Sequence, residues 1–450
     1  GLVLLFPTIT IFTIEHNSQT GKSMNRTESL INKLNDTNNP ALLELYGNDI
    51  SELRKNSERY NNLLKQFTDL FGEKEVQFYT SPGRTEIGGN HTDHNWGRVL
   101  AGAVNLDNVC VAAPNGTDII RIVSEGYPSF EVDLSNLGPD ESERFTSAAL
   151  VRGICSRFRG LGFAVGGFDA CIDGGVPKGS GLSSSASFEV LIGAILSEMF
   201  NEAKVDPIQN AIIGQYSENH YFGKPCGLMD QTACAMGGLI TIDFADPSKP
   251  VVKRVNFDFV ATGFSLVITD TGGSHADLND EYASLPTDMK AVASELGASV
   301  LRQVSLDSVI EAIPAIREKV GDRAILRAIH FQGDNQRVVD QVDALERNDF
   351  GAFLKMVKDS GFSSYMYNQN IYPITNIREQ NVSLALALSD LVLKEEGAWR
   401  VHGGGFAGTV QAFVPQHMLE KYTSTLEHVF GKGSCHKLFI RSKGAGKVNL

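Results

Sequence analysis

Between residues 177 and 200 a run of glycines and serines feeds straight into an apolar stretch, and this junction constrains the chain more than any other feature. The run reads Pro177-Lys178-Gly179-Ser180-Gly181-Leu182-Ser183-Ser184-Ser185-Ala186-Ser187, and the segment from Leu182 to Phe200 has the pattern of a strongly apolar helix. Glycines let backbone approach a ligand closely and expose N–H groups. A helix N-terminus adds unpaired N–H groups and the positive end of the helix dipole. Phosphate is the natural guest of such a junction. The plainer reading is a Ser-rich N-cap with flexible glycines. The run is not a Walker A loop, which needs GxxxxGK[ST]. Nor is it a dinucleotide fingerprint, because Ser184 stands where the third glycine belongs. The protein-kinase HRD motif and the GxSxG nucleophile elbow are absent.

Three further loops could carry chemistry. Residues 81–95, SPGRTEIGGNHTDHN, pack a guanidinium, an amide, an imidazole and a carboxylate into one short run. Such a mixture of donors and acceptors suits a polyol; a solvated turn rich in Gly, Asn and Asp is the plainer alternative. Residues 218–231, ENHYFGKPCGLMDQ, set Glu218 and Asp230 on either side of a stiff Pro-Cys-Gly turn. One carboxylate could hold Mg²⁺ and the other face a hydroxyl, or they could be a helix-end Glu and a capping Asp. Residues 402–408, HGGGFAG, again allow close backbone approach, or simply form a tight turn.

With 53 acidic and 40 basic residues the net charge is −13, which argues against a protein built to grip nucleic-acid phosphates. The six cysteines are irregularly spaced and contain no CxxC pair, as expected of free thiols in a reducing cytoplasm. His91 and His94 form an HxxH with no further ligand in evidence. The apolar stretch Leu2–Ile14 is too short to cross a bilayer and contains Pro7, so residues 1–23 read as an upstream extension and Met24 as a sensible start. Along the rest of the chain, a polar helical region (27–71) precedes a strand at 75–81 that enters a Gly-rich turn. Further strand patterns cover 99–113, 119–124, 130–134, 166–173, 238–244, 251–257 and 264–270. Helical segments dominate 278–395, before a closing strand (408–414), helix (416–430) and strand (436–441). Clustered strands followed by clustered helices predict an α+β chain of two lobes, 24–225 and 226–450.

Taken in order, these loops resemble the GHMP kinases, and among them the galactokinases. GRTEIGGNHTDHNWG is similar to the galactokinase signature GRVNxIGEHTDYNxG. VPKGSGLSSSAS resembles the family's phosphate-binding motif, ENHYFGKPCGLMDQ its E-x-x-F-x-G-x-P-C-G-x-M-D-Q run, and HGGGFAG its third motif. DTGGSHADLNDEY (270–282) looks like the segment that brings a sugar-binding tyrosine. The resemblance covers roughly residues 60–445. It implies a two-lobed GHMP fold, with nucleotide and sugar at the lobe interface, and an ATP-dependent sugar-1-kinase that makes galactose 1-phosphate.

Roles carry over residue by residue. Gly179, Ser180, Gly181, Leu182, Ser183, Ser184 and Ser185 would hold ATP phosphates, and Ser185 and Glu218 match the Mg²⁺ ligands. Asp230 matches the catalytic aspartate beside the anomeric hydroxyl, and Arg84 the arginine that stabilises it. Asn90, His91, Asp93, Gly227 and Tyr282 match sugar contacts. Several positions depart from the pattern. Asn90 replaces a Glu that contacts the C6 hydroxyl, His94 a Tyr, Gly88-Gly89 an Ile-Gly pair, and Ser274 a common Arg. On the adenine side, Ser147 stands where a tryptophan is usual, with Phe145 close by. An amide at position 90 would tolerate a C6 carboxylate, which opens galacturonate or another C6-variant or amino sugar as an alternative substrate. A catalytically silent, galactokinase-like sugar sensor is a further alternative; the Ser185-Ala186 pair, Arg84 and Asp230 favour catalysis. The expected partners are a small sugar and ATP, with no nucleic acid and no membrane.

Overall fold

The structure, a computed structural model, describes residues 19–274 and 277–450. Residues 1–18 of the expected extension lie outside them, and the first helix, Gln19–Asn35, already runs through Met24. Two sheets organise the chain. The first has eight strands and is built on a hairpin of β1 (Gln77–Gly88) and β2 (Arg98–Pro114). β2 is long enough to serve two neighbours. Its C-terminal half pairs with β5 (Phe168–Gly174) and its N-terminal half with β6 (Leu239–Asp243). β3 (Ile119–Ser124) lies parallel to β5 and carries β4 (Phe130–Asp133) at the edge, while β7 (Val251–Val255) pairs with β6. The second sheet is antiparallel: β8 (Phe264–Asp270) lies between β11 (Cys435–Leu438) and β10 (Thr409–Pro415), and β9 (Ala398–His402) pairs with β10. The chain then returns to the first sheet, where β12 (Gly446–Lys447) pairs with β1.

Two sequence expectations change here. The first sheet continues through Val255 because β6 and β7 extend β2, so sheet membership changes between Val255 and Phe264 rather than at 225/226. And β1 does not stop at Pro82-Gly83. It runs on to Gly88 with register shifts at Pro82/Arg84 and Glu86/Gly88. Bulges of this kind kink a strand and re-aim its side chains, which is why the turn-like residues sit inside it.

Strand alternation divides the core. Val109, Val111 and Ala113 face Leu45, Tyr60 and Phe67 of the N-terminal helices, whereas Cys110 and Ala112 face Ile154, Phe158, Leu191 and Ile195. The helix Ser184–Phe200 is buried nearly all round, as its unbroken apolar sequence requires. The tripeptide Asp349-Phe350-Gly351, which looks like a protein-kinase element, is a helix start: Asp349 accepts from the Ala352 amide. All six cysteines are free. Among the described residues no helix is long and apolar enough to cross a membrane.

Candidate active site

The Ser183 junction keeps the form the sequence suggested and departs from a plain cap. Ser183 precedes the helix Ser184–Phe200 with left-handed φ, +60°, and no side chain caps the helix. The first helical amides are therefore left for another acceptor. Gly179 and Gly181 also have positive φ, +73° and +74°, and a side chain on Gly181 would press on His402 and Thr409. The loop is braced internally, where Ser180 Oγ donates to the Pro177 carbonyl at 2.6 Å.

The bulge in β1 ties this loop to Arg84. The Arg84 amide, displaced from the hairpin ladder, donates to the Leu182 carbonyl at 2.9 Å. The Arg84 guanidinium donates to the Gly181 carbonyl at 3.2 Å and to Ser183 Oγ, and pairs with Asp230 Oδ1 at 2.8 Å. Ser183 Oγ in turn donates to Asp230 Oδ2 at 2.7 Å. Burial works against the Arg84 charge, but the adjoining Asp230 carboxylate outweighs it and holds the guanidinium above its ordinary range. The hydroxyl of Ser183, expected only to lie along the phosphate loop, thus bridges the two residues expected to be catalytic.

Behind this trio lies a second carboxylate group. Glu218 opens a π-helical turn, Glu218–Phe222, at the end of the helix Pro207–Ser217, an irregularity of the kind that recurs at functional sites. The Gln231 side-chain amide donates to Glu218 Oε2 and to Glu189 Oε2, each at 3.0 Å. Burial, reinforced by the Glu218 charge, pushes the Glu189 carboxyl well above the usual range. Ser185 stands exposed in the first turn of its helix.

The expected sugar residues converge on the glycine turn. Asn90 Nδ2 donates to the Gly403 carbonyl at 2.8 Å, His91 Nε2 bonds the Gly404 carbonyl at 3.0 Å, and the Tyr282 hydroxyl donates to the Gly405 carbonyl at 3.1 Å. A side chain on Gly404 would meet the Tyr282 ring at 2.8 Å, so the turn must stay bare. Asp93 Oδ2 approaches Gly227 closely enough that a Cβ there would sit 3.1 Å away. Burial raises the Asp93 pKa against the pull of His91, and the Glu86 and Asp230 charges add to the rise.

Asn90 itself corrects an expectation. It is fully buried. Its amide donates to Glu86 Oε1 (3.1 Å) and Gly403, and its carbonyl accepts from Ser364 Oγ (3.0 Å) and Asn370 Nδ2 (2.9 Å). Both donors and both acceptor positions are used. Asn90 holds loops together and has no polar group left for a sugar.

These loops have known counterparts. The galactokinase galactose-binding signature matches residues 65–114, and the GHMP kinases N terminal domain matches residues 149–238. The chain carries a GHMP kinases N terminal domain and the galactokinase galactose-binding signature. Among solved structures it is similar to Lactococcus lactis galactokinase complexed with galactose (24% identity, TM-score 0.74, 86% of this chain and 100% of that one). It is also similar to a Listeria innocua protein (14%, 0.61, 84% and 100%) and to Methanococcus jannaschii mevalonate kinase (13%, 0.58, 81% and 98%). GHMP kinases use ATP as co-substrate, and this one is a galactokinase-type phosphotransferase of the two-lobed α+β fold.

Sequence reasoning missed several residues around this kinase site. Arg400, fully buried on β9, donates to Glu86 Oε1 and to the Ile87 carbonyl (2.8 Å), pinning β1 to the second sheet. His402 Nε2 meets Thr85 Oγ1 at 3.0 Å beside it. Arg400 carries no local motif, and His402 heads the HGGGFAG run without a role assigned to its side chain; the pairing of the two sheets brings both to the loop. Next to the helix Ser147–Gly160, Phe145 is 61% exposed in a left-handed conformation, set edge-on against Phe222 and covered by Arg144. Its strained backbone and open ring mark it as a candidate ligand surface.

Proposed function

We propose that this kinase transfers the γ-phosphoryl group of ATP to the anomeric hydroxyl of galactose, giving galactose 1-phosphate and ADP. The observation that carries the reading is the Arg84–Ser183–Asp230 trio at the foot of an uncapped, glycine-rich helix N-terminus. Phosphoryl transfer depends mainly on positioning and on neutralising charge as the group moves. The amides of residues 179–185 would cradle the phosphates, and Arg84 would offset charge on the transferring group. Asp230, more than a third exposed, would face the anomeric hydroxyl and accept its proton or orient it. Phe145 would offer a face to the adenine.

Mg²⁺ belongs to this proposal through Ser185 and Glu218. Among the described residues no three His, Cys, Asp or Glu side chains gather into a self-contained metal site, so phosphate oxygens would have to complete the shell. The donor chemistry fits: a hydroxyl and a carboxylate are hard oxygen ligands. A second buried carboxyl, Glu189, shares the Gln231 amide with Glu218, so that amide fixes the orientation of both. When bound, the ion would screen the phosphate charge; Glu218 would hold it, with Gln231 fixing the carboxylate.

The galacturonate alternative rested on a free amide at position 90, and that amide is spent within the protein. A cytoplasmic setting fits the free thiols. The test is a coupled ADP-release screen over hexoses, uronic acids and N-acetyl hexosamines. Galactose should give the highest kcat/KM; a higher value for galacturonate would refute the substrate assignment.

A further inference from the structure

With Asn90 committed to the protein, the sugar site lacks the carboxylate that galactokinases carry at that position. A carboxylate is nevertheless present one contact away. Glu86 lies in the second bulge of β1, is 6% exposed, and holds Asn90 Nδ2 at 3.1 Å. Its two oxygens are used unequally. Oε1 accepts from both Asn90 and Arg400. Oε2 accepts no hydrogen bond among the described residues and is not among the fully buried unpartnered atoms, so it keeps a small exposed surface. The Glu86 charge is felt by Arg84 and by Asp93, so it lies on the side of β1 that faces the site. The sequence shows the same exchange. In the signature GRVNxIGEHTDYNxG an amide stands at the Glu86 position and a carboxylate at the Asn90 position; here the two have changed places.

We propose that Glu86 is the specificity-determining carboxylate of the sugar site, its Oε2 accepting a hydrogen bond from the sugar's C6 hydroxyl, while Asn90 positions it. The assignment rests on the galactose reading above. Arg400 and Asn90 leave Glu86 little rotational freedom, so the acceptor is held in place before substrate arrives. The arrangement also disfavours a C6 carboxylate, which would face a buried like charge. Asn90 is a positioning residue in this scheme. A glutamate in its place would set two carboxylates against one another unless position 86 changed with it.

The experiment compares galactose with 6-deoxygalactose as substrates of the full chain. Wild type should prefer galactose by about 10- to 100-fold in kcat/KM, the worth of a charged hydrogen bond. In Glu86→Gln that preference should collapse toward unity, with activity on galactose falling at least about tenfold further than activity on 6-deoxygalactose. Equal loss on both sugars would assign Glu86 a purely structural role and overturn the proposal. Equal use of the two sugars by wild type would overturn it without any variant, should Glu86→Gln fail to fold. The exchanged pair Glu86→Asn/Asn90→Glu should regain the preference that Asn90→Glu alone loses; no recovery would count against the coupling. If wild type phosphorylates other sugars but not galactose, the galactose reading itself has failed.

Discussion

Two arginine–aspartate pairs flank the same β1–β2 hairpin at the same 2.8 Å separation, and they serve different ends. Asp107 has no exposed side-chain surface, and neither does its partner Arg441. Its oxygens accept from Arg59 (2.7 Å), Arg441, Thr80 and Tyr46 (2.8 Å), which binds the N-terminal helices and the C-terminal return strand to the first sheet. Asp230 is 37% exposed and, among the described residues, accepts from Arg84 and Ser183 alone. One pair is saturated and sealed; the other is oriented but left partly exposed. The difference teaches that an ion pair becomes chemical equipment through what is withheld from it.

Breaking the sealed pair should have the largest effect. Asp107→Asn leaves the buried Arg441 guanidinium without its counter-charge, while Arg59 keeps Asp173, and should lower unfolding stability by about 3–5 kcal/mol in urea titrations. Asp230→Asn should cost less, about 1–3 kcal/mol by the same measurement, since its carboxylate is partly hydrated although the buried Arg84 loses its counter-charge. The activity ranking is reversed. Asp230→Asn and Arg84→Ala should each lose about 10²–10³ in kcat while ATP binding, read by calorimetry, persists. Near-normal turnover in either variant would exclude the roles given to them.

Two smaller effects sharpen the contrast. Glu218→Gln should raise the Mg²⁺ concentration needed for half-maximal rate by at least about tenfold, with galactose affinity little changed. Excess EDTA should abolish turnover. Full activity under EDTA would remove Mg²⁺ from the account. The pH effect should be the smallest. Burial would raise the Asp107 pKa, but Arg59 and Arg441 outweigh it and hold the carboxyl below its usual range. A depressed carboxylate stabilises the fold above its unfolded pKa, about 3.9, and that contribution is lost as pH falls through the folded value. Wild type should therefore lose more stability below about pH 4 than Asp107→Asn does; parallel acid limbs would mean that Asp107 is not the linked group.

Much of this was legible before any coordinates. The helix at Ser184–Phe200 followed from an unbroken apolar run, and the four loops were found because glycine, serine and carboxylate spacing is local information. What escaped the sequence was long-range. Pro82 and Gly83 look like a turn, and only the pairing of β1 with β2 shows that they lie in a bulged strand. Asn90 looked like a sugar contact because His91 and Asp93 follow it closely. Its partners Ser364, His330 and Asp334 arrive from helical segments, and Asn370 from the loop beyond one, all more than 200 residues away. Ser183 resembled one more loop serine until its hydroxyl was seen between Arg84 and Asp230.

The central claim is that the Asp230 site moves a phosphoryl group to the anomeric oxygen of galactose. Phosphorus and proton NMR of a reaction holding ATP, Mg²⁺, galactose and enzyme tests it most directly. The account predicts a phosphate ester coupled to the anomeric proton, formed by wild type and slowed at least about a hundredfold with Asp230→Asn. Phosphate at any other sugar carbon, or an equal rate from Asp230→Asn, would contradict it.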